Sequence, residues 1–154
     1  MILEITQMLW TAWWLTSDDF IDQLENIPIT PYKPTHINHP TCIWVRIHRP
    51  NFDFALRLAL ELCKEYTFRY NKQHACQSHI LWLRSHPPPC NSSDSYRLDQ
   101  VFATSTLPRN CTYVPLAMPT CFHSPSLVKS YRNYYRSDKA VFSSWKNRPI
   151  PSWF

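Results

Sequence analysis

The chain has 154 residues, a formal net charge of +5 and 44% hydrophobic residues, which suits one domain with a substantial core and leaves little room for two. Glycine is absent, where a chain of this length ordinarily carries about eleven. That excludes both a Rossmann fingerprint and a P-loop, since each needs glycine for close backbone approach to phosphate.

In chain order, residues 2–16 read as a helix, with Leu3, Met8, Leu9, Ala12, Trp13 and Leu15 as its apolar stripe and Trp10 and Trp14 widening it. A short helix is expected over 18–26, then the Pro-rich connector IPITPYKPTHINHP, then a helix over 41–48 opened by Pro40. The clearest helix covers 51–70. Phe52, Ala55, Leu56, Ala59, Leu62, Cys63, Tyr66 and Tyr70 recur at helical spacing as one buried face, and Asp53–Arg57, Arg57–Glu61 and Glu65–Arg69 are i,i+4 charge pairs. Asn71 is predicted to be a left-handed cap in the place glycine usually takes. A helix over 74–85 ends before Pro87, Pro88 and Pro89, and 87–121 reads as a long loop. The last helix is expected over 126–145, with Ser124 as N-cap and Pro125 as first helical residue. Its buried stripe would be Leu127, Val128, Tyr131, Tyr134, Tyr135, Phe142 and Trp145, and Trp153 and Phe154 would pin an extended tail, 146–154, to the body. No internal repeat or strand-like alternation stands out. The expected fold is all-α: one compact helical domain over 1–154 with long Pro-rich loops.

The opening MILEITQMLWTAWWL lacks a basic n-region and a small-residue cleavage site and is too short to span a bilayer. An intracellular protein with no membrane partner follows as the expectation, and the six cysteines are then free thiols rather than three disulfides.

Three constellations bear on function. Lys129, Arg132, Arg136 and Lys139 share one face of the last predicted helix, a quarter-turn from its aromatic stripe, and Lys146 and Arg148 carry the charge beyond it. Such a row can neutralise successive phosphates, or be an ordinary solvated face. Asn38, His39 and Pro40 precede Trp44 and Arg46. This turn can hold an anion on its amides, supply His39 as a general acid or base, or simply cap the helix. Glu4 is a lone carboxylate in an aromatic-rich helix, either with a raised pKa and a catalytic role or as an exposed first-turn residue. Cys76-x-x-His79 and Cys121-x-His123 do not make a four-ligand array, so no metal or cofactor is called for.

The stretches THINHPTCIWVR, NFDFALRLALELCKEYTFRYNKQH, PLAMP and SYRNYYRSDKAVFSSWKNRPIPSWF resemble a protein family of bacteriophages and large DNA viruses. The resemblance covers residues 1–85 and 115–154; its closing segment is the most specific part, and 87–114 matches little. In that family the RYNK stretch usually reads with Gly where Asn71 stands. The family is in turn distantly similar to pyrimidine-dimer DNA glycosylases of the phage endonuclease V type, through two short patches, Glu4 to Leu9 and Asn38 to Pro40. Those enzymes are all-α, basic and DNA-binding, and they attack the sugar C1′ with an N-terminal α-amine supported by a nearby Glu. The resemblance implies Glu4 as catalytic carboxylate, and Arg132, Arg46 and His39 as DNA-contact or active-site residues. The family begins further upstream, so this chain is expected to start inside its first long helix, without the segment that carries the nucleophile.

The expectation is a nucleic-acid-binding protein, DNA foremost, to which the resemblance adds glycosylase or abasic-site lyase chemistry. The alternative is a non-catalytic protein-interaction factor of viral origin, working through exposed Trp and the Pro-rich loop.

Overall fold

The structure, a computed structural model, describes residues 1–17, 27–90 and 111–154. The helix expected over 18–26 and most of the loop expected over 87–121 lie outside the described residues. Within them the protein is all-α, without a strand: α1 (Ile2–Thr16), α2 (Pro40–Ile47), α3 (Arg49–Tyr70), α4 (Cys76–Ser85) and α5 (Leu127–Arg136), with 3-10 turns at Thr120–Phe122 and Ala140–Phe142.

α1 is the centre of the body, touching α2, α3 and α4. Its buried face is Thr6, Leu9, Trp10, Thr11, Ala12 and Trp13, whereas Leu3 and Leu15, expected inside, are exposed. The wide indoles and two self-satisfied threonines turn the helix that way. The hydroxyls of Thr6 and Thr11 bond back to the Ile2 and Gln7 carbonyls at 2.7 and 2.8 Å, so both can be buried without an orphan polar group. Each buried indole finds an acceptor: Trp10 Nε1 donates to His79 Nδ1 (3.1 Å), Trp13 to the His86 carbonyl (2.8 Å) and Trp44 to the Thr112 carbonyl (3.2 Å). Burial pushes the His79 pKa down, the same direction that an Nδ1 accepting from Trp10 favours.

α2 is buried on every side, from Cys42 to Ile47. His48 alone separates it from α3, with extended φ/ψ of −141° and 137°. Asn51 locks this corner. Its Nδ2 donates to the Trp44 carbonyl (2.8 Å) and to Thr112 Oγ1 (2.8 Å), and its Oδ1 accepts from the Thr112 amide (3.0 Å). A fully buried amide thus closes the end of α2 and ties the 111–116 segment, with Val114 and Leu116 buried, onto the body.

α3 begins two residues before the predicted start, since Pro50 fits the first turn, where no amide partner is needed. Its inward face is buried as far as Cys63, but Tyr70 is exposed. Asn71 takes the left-handed conformation predicted, φ 51° and ψ 37°, and its amide donates to the Thr67 carbonyl (2.8 Å). The charge ladder is differently paired: Asp53 binds Arg49 and Glu61 binds Lys64, while Glu65–Arg69 forms as expected.

All six cysteines are free thiols, four of them buried. Burial raises the thiols of Cys42 and Cys63, and that of Cys90 to about 12. They are small core residues rather than nucleophiles.

Replacing Asn51 with alanine leaves the Trp44 carbonyl and the Thr112 amide without their partner inside the protein. The expected cost is about 2–4 kcal/mol, read as a lower urea midpoint at unchanged m, with the 111–116 segment becoming the first site of proteolysis.

Candidate nucleic-acid interface

α5 starts at Leu127, not at Pro125. Ser126 is the N-cap, its Oγ accepting the Lys129 amide at 3.3 Å. Ser124, the predicted cap, is engaged elsewhere: its amide donates to Ser130 Oγ (2.9 Å), and Ser130 is the one fully buried residue of the helix. The sequence offers two serines around Pro125, and the bond to Ser130 decides between them.

The helix ends at Arg136, far short of the predicted 145. Ser137 and Asp138 stop it, because their short polar side chains offer bonds that compete with the helical backbone. Ser137 Oγ donates to Asp138 Oδ1 (3.2 Å), and the Lys139 amide closes back on the Tyr134 carbonyl (3.3 Å). The buried stripe is correspondingly reduced. Leu127, Tyr131 and Tyr134 face inward and are half-buried, whereas Val128 and Phe142 are exposed. Tyr134 packs on Phe122, and burial raises the Tyr131 phenol above its ordinary pKa.

Lys129, Arg132 and Arg136 remain together. At about 100° per residue they fall within about 60° of one another, opposite Leu127, Ser130 and Tyr134 rather than a quarter-turn away. All three are exposed, and among the described residues none pairs with a carboxylate. Arg132 lies over the Trp153 ring, 5.2 Å from its centroid. Lys139 is beyond the helix end, but its ammonium returns over Tyr134 at 5.3 Å. The tail is thus pinned to α5 by Trp153, and Phe154 packs edge-on against Trp145.

The charge further along is placed differently. Residues 144–148 wrap the end of α3: Arg69 donates to the Ser144 carbonyl, Asn147 to the Arg69 carbonyl, and Lys146 sits over Tyr70 at 5.0 Å. Arg148 is a correction to the predicted row. It is bidentate on Glu65 (3.1 and 2.7 Å) and stacked 3.7 Å above Phe68, so its charge is already spent within the protein. The Arg148 and Arg69 guanidiniums hold Glu65 at about 2.

Arg46 is a second correction. It is 3% exposed, and its Nη1 donates to the Ile37 carbonyl (2.7 Å). Polarity suggested a surface residue, but a helix buried all round leaves it no route to a ligand. Asn38 and Pro40 form the predicted turn and first helical position, with the His39 amide donating to the His36 carbonyl (2.8 Å). His39 caps α2 through Nδ1, which accepts the Thr41 amide at 3.2 Å. Among the described residues no hydrogen bond, ion pair or ring contact joins Asn38, His39 or Pro40 to α5.

Glu4 lies in solvent rather than among the indoles, its side chain 64% exposed, and pairs with the Met1 amine. That bond lowers its pKa, where an aromatic setting would have raised it. The Tyr135 hydroxyl donates to Met1 Sδ at 3.8 Å, which brings the start of α1 alongside α5.

Among the described residues no three His, Cys, Asp or Glu side chains gather as a metal site, and no helix is long and apolar enough to cross a membrane. A groove of about 800 Å³ runs between α3 and α4, lined by Leu60, Phe68 and Leu81 with Arg57 and Arg84 at its edge. Comparison with protein-family models, characterised proteins and solved structures finds no match for the chain.

Because Glu65 has a depressed pKa, its pairing stabilises the fold fully above about 4.5 and is lost as pH falls toward 2. In Arg148→Ala, a carboxyl NMR titration should show Glu65 moving part of the way back toward 4.5, with Arg69 retained as its remaining partner.

Proposed function

We propose that the chain binds nucleic acid through the outward face of α5. One observation carries this reading: Lys129, Arg132 and Arg136 are aligned over about 10 Å of helix and among the described residues none is paired with a carboxylate, while Arg49, Lys64 and Arg69 of α3 are paired with Asp53, Glu61 and Glu65. Lys139 follows directly after the helix and Lys146 lies at the end of α3, each held over an aromatic ring rather than a carboxylate. Such a surface attracts a polyanion and releases its counterions on contact.

Anisotropy titrations of the protein with a labelled DNA duplex at several salt concentrations test the proposal. Three to five phosphate contacts should give a log–log salt slope of about −3 to −5. The triple variant K129E/R132E/R136E should bind on the order of a hundredfold more weakly, with a slope flatter by about three. A wild-type protein whose DNA affinity ignores salt, or that has none and instead captures a protein partner, defeats the proposal.

The contact between Tyr135 and Met1 favours a second reading, in which Glu4 lies beside the bound strand and supports abasic-site cleavage of the kind the family resemblance implies. Under that reading Glu4 takes the C2′ proton of the abasic sugar as the 3′ phosphate leaves, and Glu4→Gln retains duplex affinity but abolishes cleavage. Equal cleavage by the variant and the wild type sets it aside.

A further inference from the structure

Val141 and Phe142 are 81% and 79% exposed, the two most exposed large apolar side chains among the described residues. Among the described residues no ring contact involves Phe142. Yet the backbone that presents them is braced. The turn Ala140–Phe142 is 3-10, closed by the amides of Ala140, Phe142 and Ser143 donating to the carbonyls of Ser137, Lys139 and Ala140 at 3.3, 3.1 and 3.0 Å. Ser143 Oγ adds a bond to the Lys139 carbonyl at 3.0 Å. An apolar pair held out on a fixed turn offers a ligand of matching chemistry about 25 cal/mol per Å² of surface it covers.

The charge around the turn says what. In 3-10 geometry residues three apart eclipse, which sets Lys139 and Phe142 on one side of the turn. Arg136 precedes them and Lys146 follows, and among the described residues none of these three cations has a carboxylate partner. An exposed phenylalanine on a turn that directly follows Arg136 and Lys139 in the chain is complementary to a ligand that offers flat apolar faces between closely spaced negative charges. Stacked bases on a phosphate backbone have that form. Proteins that meet a duplex this way insert an apolar side chain between base steps while cations hold the flanking phosphates.

We propose that Phe142, backed by Val141, is a wedge that enters an opened base step, so that the preferred ligand is a duplex already unstacked at a bulge or gap. The idea rests on the nucleic-acid reading of α5 and adds the substrate class to it. A matched duplex must be pried apart before the ring can enter, at a cost of a few kcal/mol per step, whereas a bulged one has met that cost beforehand.

The test compares a matched DNA duplex with the same duplex carrying a two-nucleotide bulge beside a 2-aminopurine, using wild type and V141A/F142A. Both side chains are exposed, so the double variant should keep the wild-type thermal midpoint. The wild type should bind the bulged duplex at least about fivefold tighter and brighten the 2-aminopurine as it loses its stacking partner. V141A/F142A should keep the matched-duplex affinity and salt slope but lose both the preference and the brightening. A wild type that binds both duplexes equally and leaves the 2-aminopurine dark overturns the wedge while the α5 reading stands on its salt slope. Failure to bind either duplex overturns both. A third arm uses vesicles of phosphatidylcholine and phosphatidylserine. If V141A/F142A loses vesicle binding and leaves the bulge preference unchanged, the apolar pair belongs to a membrane surface and the wedge is overturned.

Discussion

Trp10, Trp13 and Trp44 are withdrawn almost completely from water, and each brings an N–H that must find an acceptor in the interior. At 150–250 Å² apiece, their burial contributes roughly 4–6 kcal/mol each, but an unpaired indole N–H would return about 1–3 kcal/mol of that. The acceptors therefore fix the arrangement. His79 on α4 takes Trp10, the carbonyl just after α4 takes Trp13, and the carbonyl of Thr112 takes Trp44. Because Thr112 is itself held by Asn51, the same short network joins α2, α3 and the segment that leads on toward α5. The placement of the 111–116 segment on the body thus follows, through few links, from where the tryptophans had to find partners.

The absence of glycine shapes the rest. Left-handed backbone is still needed, and among the described residues it falls on His36, Asn71, Cys90 and Asn147. Asparagine tolerates this conformation better than most residues. Asn71 and Asn147 stand at the two points that matter for the charged surface. The first ends α3, and the second turns the C-terminal run back onto that end, where its Nδ2 bonds the Arg69 carbonyl. The hook so formed decides which cations are consumed internally. Arg148 is delivered to Glu65, while Lys146, two residues earlier, is left over a tyrosine.

These differences mark what the sequence could convey. α1 to α4 were legible to within about two residues, because a helical period of apolar residues, a proline at the first turn and Asn71 at the end of α3 all agree with the tertiary structure. The sequence carries α5 too far because its aromatic and basic pattern continues past Arg136 after the backbone has left the helix; the local competition of Ser137 and Asp138 is a weaker signal than the periodicity that surrounds it. Arg46 is hidden from the sequence for another reason. Periodicity cannot separate a buried arginine from an exposed one when every neighbour is apolar, and only the packing of α2 on all sides reveals that its guanidinium serves the Ile37 carbonyl. Glu4 could be placed on a helix but not on a side of it, since the exposed and buried faces of α1 are both apolar in sequence.

The distribution of charge separates structural cations from those available to a ligand. Arg49, Lys64, Arg69 and Arg148 each meet a carboxylate, and a polyanion would have to displace Asp53, Glu61 or Glu65 to reach them. For Arg148 that means giving up two charge-assisted bonds and a stacked ring, a poor exchange for one exposed phosphate contact. Among the described residues Lys129, Arg132 and Arg136 face no such competition, and the aromatic contacts of Arg132, Lys139 and Lys146 leave their charge unneutralised, because a ring's quadrupole orients a cation without cancelling it. A cation held in place but still charged loses less side-chain entropy on meeting a phosphate than a free lysine would. The aromatic residues of the C-terminal run therefore do at the surface what the tryptophans do in the core: they set the position of a polar group without using up its capacity to bind.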